Sequence, residues 1–187
     1  MHARQQRKFK SCMLEKGEPR LPFFIAMMCI MKMTNQYQVK LIAPFGVLGI
    51  VCNEDTLTGI QFLAANSVAQ APQSPFAKEI CKQLLAYFDD ADFHFNLPVK
   101  LAGTDHQNKV WQAMCAIPRG QTRQYGELAH ELASSPRAVG QACGANPIPL
   151  VIPCHRVVSK AGLGGFAHHR DGYELDIKRW LLKHEQR

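Results

Sequence analysis

Three prolines within seven residues, Pro147, Pro149 and Pro153, exclude a regular helix from the stretch Asn146–Val158 (NPIPLVIPCHRVV). They stiffen its backbone, and the apolar run Leu150-Val151-Ile152 anchors it in a core. Cys154 therefore sits on a fixed segment, followed at once by His155 and Arg156. A cation or imidazole beside a thiol favours the thiolate, the nucleophilic form, so a modestly depressed thiol pKa is expected. Adjacent side chains diverge on strands and helices alike, which makes direct contact between the sulfur and the imidazole awkward. A bridging water is the easier proton route. His155 then needs a carboxylate on its other nitrogen to fix the tautomer. Glu127, Glu131, Glu174, Asp176 and Glu185 are candidates, and spacing does not choose among them.

The 187 residues suit one domain or two small ones sharing a core. With 47% hydrophobic and 20% charged residues, the chain is neither disordered nor fibrous. Its net charge of +7 is uneven: residues 1–33 carry +5, residues 34–103 carry −2 and residues 104–187 carry +4. The seven cysteines stand singly, without a CxxC pair, and read as reduced cytoplasmic thiols rather than zinc ligands. Residues 1–33 are read as a loosely ordered basic and apolar leader, dispensable if translation starts near Met33. Its eleven-residue apolar run, Leu21–Met31, lacks a cleavage site and is too short to span a bilayer. No membrane partner is expected.

Tyr37–Ala43 and Val47–Asn53 flank Pro44-Phe45-Gly46 and predict a hairpin. Thr56–Phe62 predicts a third strand, Pro75–Phe88 a helix and Phe93–Val99 a further strand. These make residues 34–103 a small α+β domain with no evident chemistry of its own. Gly103-Thr104 marks a boundary, with Thr104 capping a helix to about Ile117. Tyr125–Ala133 predicts a second helix, and Ser135-Pro136 is a well-matched start for a third. The last two outline a helix-turn-helix. On the third helix Ala138, Val139, Ala142 and Cys143 share an apolar face, and Arg137, Gly140, Gln141 and Gly144 share the opposite one. Each helix-interior glycine costs about 1 kcal/mol relative to alanine. Two on one face imply either close approach by a ligand backbone or close helix packing.

Pro153-Cys154-His155-Arg156-Val157 resembles the active-site motif of the O6-alkylguanine-DNA alkyltransferases, the methylated-DNA–protein-cysteine methyltransferases. Val110-Trp111, Ile117-Pro118, Tyr125, Arg137-Ala138-Val139-Gly140, Asn146-Pro147 and Trp180-Leu181-Leu182 extend the resemblance over 104–187. It is looser over 36–103. It implies an α+β fold: a small sheet-plus-helix, ribonuclease H-like N-terminal domain packed on a mainly helical domain, 104–187, that binds DNA and accepts the alkyl group.

The resemblance further implies direct-reversal repair. The alkyl group of O6-alkylguanine, with O4-alkylthymine as a further candidate, passes irreversibly to Cys154 in a single turnover. The helix-turn-helix enters the minor groove and flips the base, with Arg137 filling the gap and Ala138, Gly140, Gln141 and Gly144 against DNA. His155 deprotonates Cys154 through water, Glu185 orients His155, Tyr125 assists the leaving guanine and Asn146 braces the turn. Val157 offers its carbonyl to the guanine amino group, and Phe166 and Ala167 line the base pocket. Ala167 stands where many relatives have a serine, so a backbone N–H would serve there instead. His168, His169 and Arg170 are read as solvated or touching DNA. The implied partner is double-stranded DNA bound by a monomer, with several copies along one duplex left open, and no cofactor or metal is called for. A Cys-His hydrolase and a lesion-recognition module without transfer are the rival readings.

Overall fold

A computed structural model describes residues 37–169 and 171–186. The 1–33 leader lies outside them, as does Arg170. Strands β1 (Val39–Ala43), β2 (Gly46–Cys52) and β3 (Leu57–Leu63) form an antiparallel sheet in the order β1-β2-β3. Leu41 pairs with Leu48, and Leu48 with Phe62. The expected hairpin is thus present, closed by Gly46 at φ 139°. The hydroxyl of Tyr173 fills the space beside Gly46 and donates to the Phe45 carbonyl at 2.6 Å. A side chain at 46 would meet both that oxygen and a backbone conformation it resists.

Helix α1 (Pro75–Asp89) starts as its sequence dictates. Ser74 accepts from the Ala77 N–H at 3.1 Å, and Pro75 takes the first turn. Ala77, Ile80, Leu84 and Tyr87 are buried at helical spacing against the sheet. The strand expected over 93–99 does not form. The segment makes one bridge, Val99 to Leu57, flanked by hydrogen bonds through Pro98 O and Lys100 N. Pro98 has no N–H to continue a ladder.

Helix α2 (Asp105–Cys115) opens with a reciprocal capping box between Thr104 and Gln107. The short strand β4 (Arg123–Gln124) leads into α3 (Tyr125–Glu131), and α4 (Pro136–Gly144) follows with Ser135 as its cap. The α4 apolar face is buried as patterned: Val139, Ala142 and Cys143. Trp111 of α2 donates its indole N–H to the Ala142 carbonyl at 2.9 Å, which fixes α4 to the helix behind it. Past the proline segment come a 3₁₀ turn (Cys154–Arg156), β5 (Val157–Val158) and the terminal helix α5 (Tyr173–Glu185). Strands β4 and β5 pair in parallel, Arg123 with Val157 and Gln124 with Val158. That pairing joins the entry of the helix-turn-helix to the residues just after Cys154. One buried cluster runs from the sheet through α2 and α4 to α5. Among the described residues no helix is long and apolar enough to cross a membrane.

Trp111→Phe should test the α2–α4 fixing. It leaves the buried Ala142 carbonyl without its donor at a cost of about 1–3 kcal/mol, read as a lowered urea midpoint.

Candidate active site

The proline segment is held by Asn146. Its amide nitrogen donates to Ile152 O at 2.8 Å, and its carbonyl accepts from Ile148 N–H at 3.0 Å. Leu150 takes a left-handed φ of 77° inside this loop. The chain then delivers Cys154 with 6% of its surface exposed, at a cavity of about 350 Å³. Asn146, Gly144 and Cys143 line that cavity from the α4 side, Ala167 and His168 from the loop before α5. Ile60, Gln61 and Phe62 of β3 line it too.

His155 is fully buried, lies outside this cavity's lining and meets Glu185, 2.8 Å from its Nε2. Burial pushes the imidazole pKa down, against the pull of the carboxylate. The ring is therefore neutral near pH 7, with Nε2–H donating to Glu185. Its Nδ1 is then an unprotonated lone pair, buried and without a partner among the described residues.

Glu185 accepts three further hydrogen bonds: from Tyr87 O–H at 2.9 Å, and from Arg156 Nε and a guanidinium terminal nitrogen, each at 2.9 Å. Burial alone would raise its carboxyl pKa, but the His155 and Arg156 donors outweigh burial and hold it well below the usual carboxylate range. Arg156 also donates to Ile117 O at 2.7 Å. Its charge is thus spent on Glu185 rather than on the thiol. This corrects the expectation of a depressed thiol: burial raises Cys154, with the Asn146 side chain and the Lys178 charge pulling the other way. Three of the other four candidate carboxylates are engaged elsewhere. Glu127 caps α3, Glu131 pairs with Arg123 and Asp176 with Arg179, while Glu174 lies at the Cys154 cavity, 3.7 Å from His169.

Tyr125 lines a different, open cavity of about 650 Å³ with Ser159, Leu163 and Gly164, and donates to Gly165 O at 3.2 Å. Val157 is buried, and its carbonyl already accepts from Lys178 at 2.7 Å. Phe166 is buried against Phe62, ring centroids 5.3 Å apart, and lies outside the lining of the Cys154 cavity. On α4, Arg137 and Gln141 are exposed, Ala138, Gly140 and Gly144 half-buried. Arg137 makes no salt bridge among the described residues. The two glycines differ. Gly140 has open space apart from the Tyr125 ring at 4.0 Å, whereas a Cβ at Gly144 would lie 2.5 Å from the His168 ring. His168 occupies that place from a left-handed φ of 67°, next to Ala167 at 47°. Gly144 thus accommodates a neighbouring side chain of its own protein.

Three contributors went unremarked in the sequence: Tyr87, the β3 wall and the cavity-facing side of Cys143. Tyr87 could be read only as the last apolar position of α1, and its hydroxyl carried no signal. The β3 wall depends on how the sheet docks, which no local pattern encodes.

A buried thiol beside a neutral, carboxylate-held imidazole, mounted behind a helix-turn-helix, defines a thiol group-acceptor on a nucleic-acid-binding scaffold. Comparison narrows the class. Residues 105–187 match the family model described as "6-O-methylguanine DNA methyltransferase, DNA binding domain", and residues 38–101 its ribonuclease-like domain. The methylated-DNA–protein-cysteine methyltransferase of Methanosarcina barkeri is 39% identical over 152 residues, 77% of this chain and 93% of that protein. A Mycobacterium tuberculosis O6-methylguanine methyltransferase is similar in structure, with TM-score 0.67 and 33% identity over 79% of this chain and 90% of its own. The M. tuberculosis protein in complex with DNA gives TM-score 0.67 and 36% identity, over 79% and 91%. The chain belongs to the methylated-DNA–protein-cysteine methyltransferase family.

Glu185 should dominate the acid branch of stability. Its folded pKa lies below the ordinary 4.5, so its contribution is complete above that value and is lost as pH falls through the folded pKa. Glu185→Gln is expected to cost about 3 kcal/mol or more at pH 7. In urea titrations from pH 7 to pH 3 the gap to wild type should narrow toward acid.

Proposed function

We propose that this protein repairs DNA by direct reversal, taking the alkyl group from O6-alkylguanine onto Cys154, once per molecule. The observation that carries the reading is the placement of Cys154. Its buried thiol lines a cavity while His155 beside it is kept neutral by burial and oriented by Glu185. A water between His155 Nδ1 and the thiol completes the relay. The thiol proton passes to His155, and Glu185 stabilises the imidazolium that results. The sulfur then attacks the alkyl carbon. The S–C bond forms as the C–O6 bond breaks, and guanine leaves with the bonding electrons. Tyr125 delivers a proton to the leaving base and recovers one from solvent. Burial pushes the Tyr125 phenol up, which keeps it protonated for that role. The thioether product has no leaving group for water to displace, so the protein is consumed.

Exposed Arg137 on α4 fits insertion into the base stack in place of the flipped nucleotide, with Gln141 and the open side of Gly140 against the backbone. Val157 keeps one carbonyl lone pair beyond the bond from Lys178, enough for a guanine amino group. Ala167 lines the cavity, and its main-chain N–H takes the part of the missing side-chain hydroxyl. Residues 34–103 then form the supporting domain and 104–187 the reacting one. The substrate is the alkylated base in double-stranded DNA, met by a monomer in the cytoplasm.

Mixing the protein with duplex DNA containing O6-methylguanine should add about 14 Da, one methyl replacing one hydrogen, to Cys154, with no turnover. Unmodified Cys154 with intact DNA binding would make this a recognition module. Turnover through an acyl-enzyme would make it a hydrolase. Arg137→Ala should slow repair of the duplex at least ~10-fold while free O6-benzylguanine reacts as before. Equal losses on both would remove Arg137 from base flipping.

A further inference from the structure

A thiolate formed at Cys154 is an anion inside a protein, and it needs a cation. The question rests on the function proposed above, in which Cys154 is the nucleophile. The imidazolium formed on His155 reaches the thiolate only across the relay water and is shared with Glu185, and Arg156 is matched by Glu185. Lys178 of α5 is the one lysine or arginine in the buried set of described residues, with none of its surface exposed. Among the described residues no carboxylate lies within salt-bridge range of it. Burying an ammonium without a counter-anion costs several kcal/mol. The carbonyl dipoles it meets offset part of that and leave its charge in place.

Those two carbonyls are informative. Lys178 Nζ donates to Val157 O at 2.7 Å and to Gly165 O at 3.0 Å. Val157 is three residues past Cys154, on the strand that begins where the 3₁₀ turn ends. Gly165 belongs to the loop whose next residues cover the Cys154 cavity, and its carbonyl also accepts from Tyr125. The ammonium stands 6.0 Å from the Tyr125 ring centroid. It thus ties together the two chain segments that frame the reacting atoms.

We infer that Lys178 is a positioning residue with two duties: it supplies the positive charge that balances the Cys154 thiolate, and it clamps the Val157 and Gly165 carbonyls across the base site. The titration behaviour of both groups agrees. Burial brings the ammonium down to about 8, while the Cys154 and Cys143 thiols hold it up. In return the Lys178 charge draws the Cys154 thiol down against its burial. Lys178 forms no bond in the reaction and donates no proton to it.

Three substitutions separate charge from clamp. Lys178→Met removes both, Lys178→Gln keeps donors without charge, and Lys178→Arg keeps charge. Cys154 carboxamidomethylation by iodoacetamide, followed by peptide mass spectrometry across pH 6–10 (the range spanning ordinary thiol pKa values, about 8.5), reads the thiolate without any DNA. In the Met and Gln variants the apparent thiol pKa should rise by about one unit or more, so the rate at pH 7 falls ~10-fold and recovers as pH rises. The Arg variant should stay near wild type. A loss by the same factor at every pH, or no change, would overturn the inference. Should the variants fail to fold, the reciprocal measurement decides. The side-chain NMR titration of Lys178 should move to lower pH in Cys154→Ser, and an unmoved titration would equally overturn it. Methyl transfer from O6-methylguanine duplex by the wild type is scored separately. Its absence sinks the proposed function, whereas a Lys178-independent iodoacetamide profile sinks only this inference.

Discussion

The Glu185 carboxylate is the point on which the two halves of the molecule agree. It sits at the last residue of the terminal helix and gathers Tyr87 from the helix behind the sheet, His155 from the 3₁₀ turn and Arg156 from the same turn. A buried carboxylate is tolerated only when its lone pairs are occupied and its charge is matched. Here Arg156 supplies the charge, and three different side chains supply the hydrogen bonds. The reward is a histidine fixed in one tautomer with its other nitrogen bare. Removing any one donor would loosen both the packing between the halves and the orientation of the base.

Much of this was readable before any coordinates. The Ser74-Pro75, Thr104 and Ser135-Pro136 starts are local chemistry, in which a side-chain oxygen meets the first free N–H groups. Each helix begins where those residues stand. The Asn146 brace was implied only by the family resemblance, and the structure supplies its reason: among prolines that donate no N–H, its side chain bonds Ile152 O and Ile148 N–H. What the sequence hid was long-range. The 93–99 segment alternates like a strand, yet Pro98 and a single neighbour leave it with one bridge. Arg156 looked like a cation for its neighbour Cys154 and instead turned to a carboxylate 29 positions away. Gly144 looked like a bare surface for a ligand, and a histidine of the following loop occupies it. In each case a local pattern had two solutions and tertiary packing selected one.

The Cys154 cavity is likewise a joint product. Its floor comes from the proline segment and α4, and its far wall from β3 of the sheet. The N-terminal half, which shows no chemistry in its own sequence, therefore shapes the space beside the thiol. The β4–β5 pairing adds a mechanical link, because the strand leaving Cys154 is hydrogen-bonded to the strand that enters the helix-turn-helix. Displacing one displaces the other.

The burial of Cys154 carries a last consequence. A protein that works once cannot spare its sulfur to every passing electrophile, since each stray reaction removes a whole molecule from service. With 6% of the residue exposed and burial favouring the protonated thiol, Cys154 is kept dormant by its surroundings. Reactivity is then conferred by whatever enters the cavity and stays there. Selectivity of this kind lies less in what the sulfur prefers than in how seldom it is available.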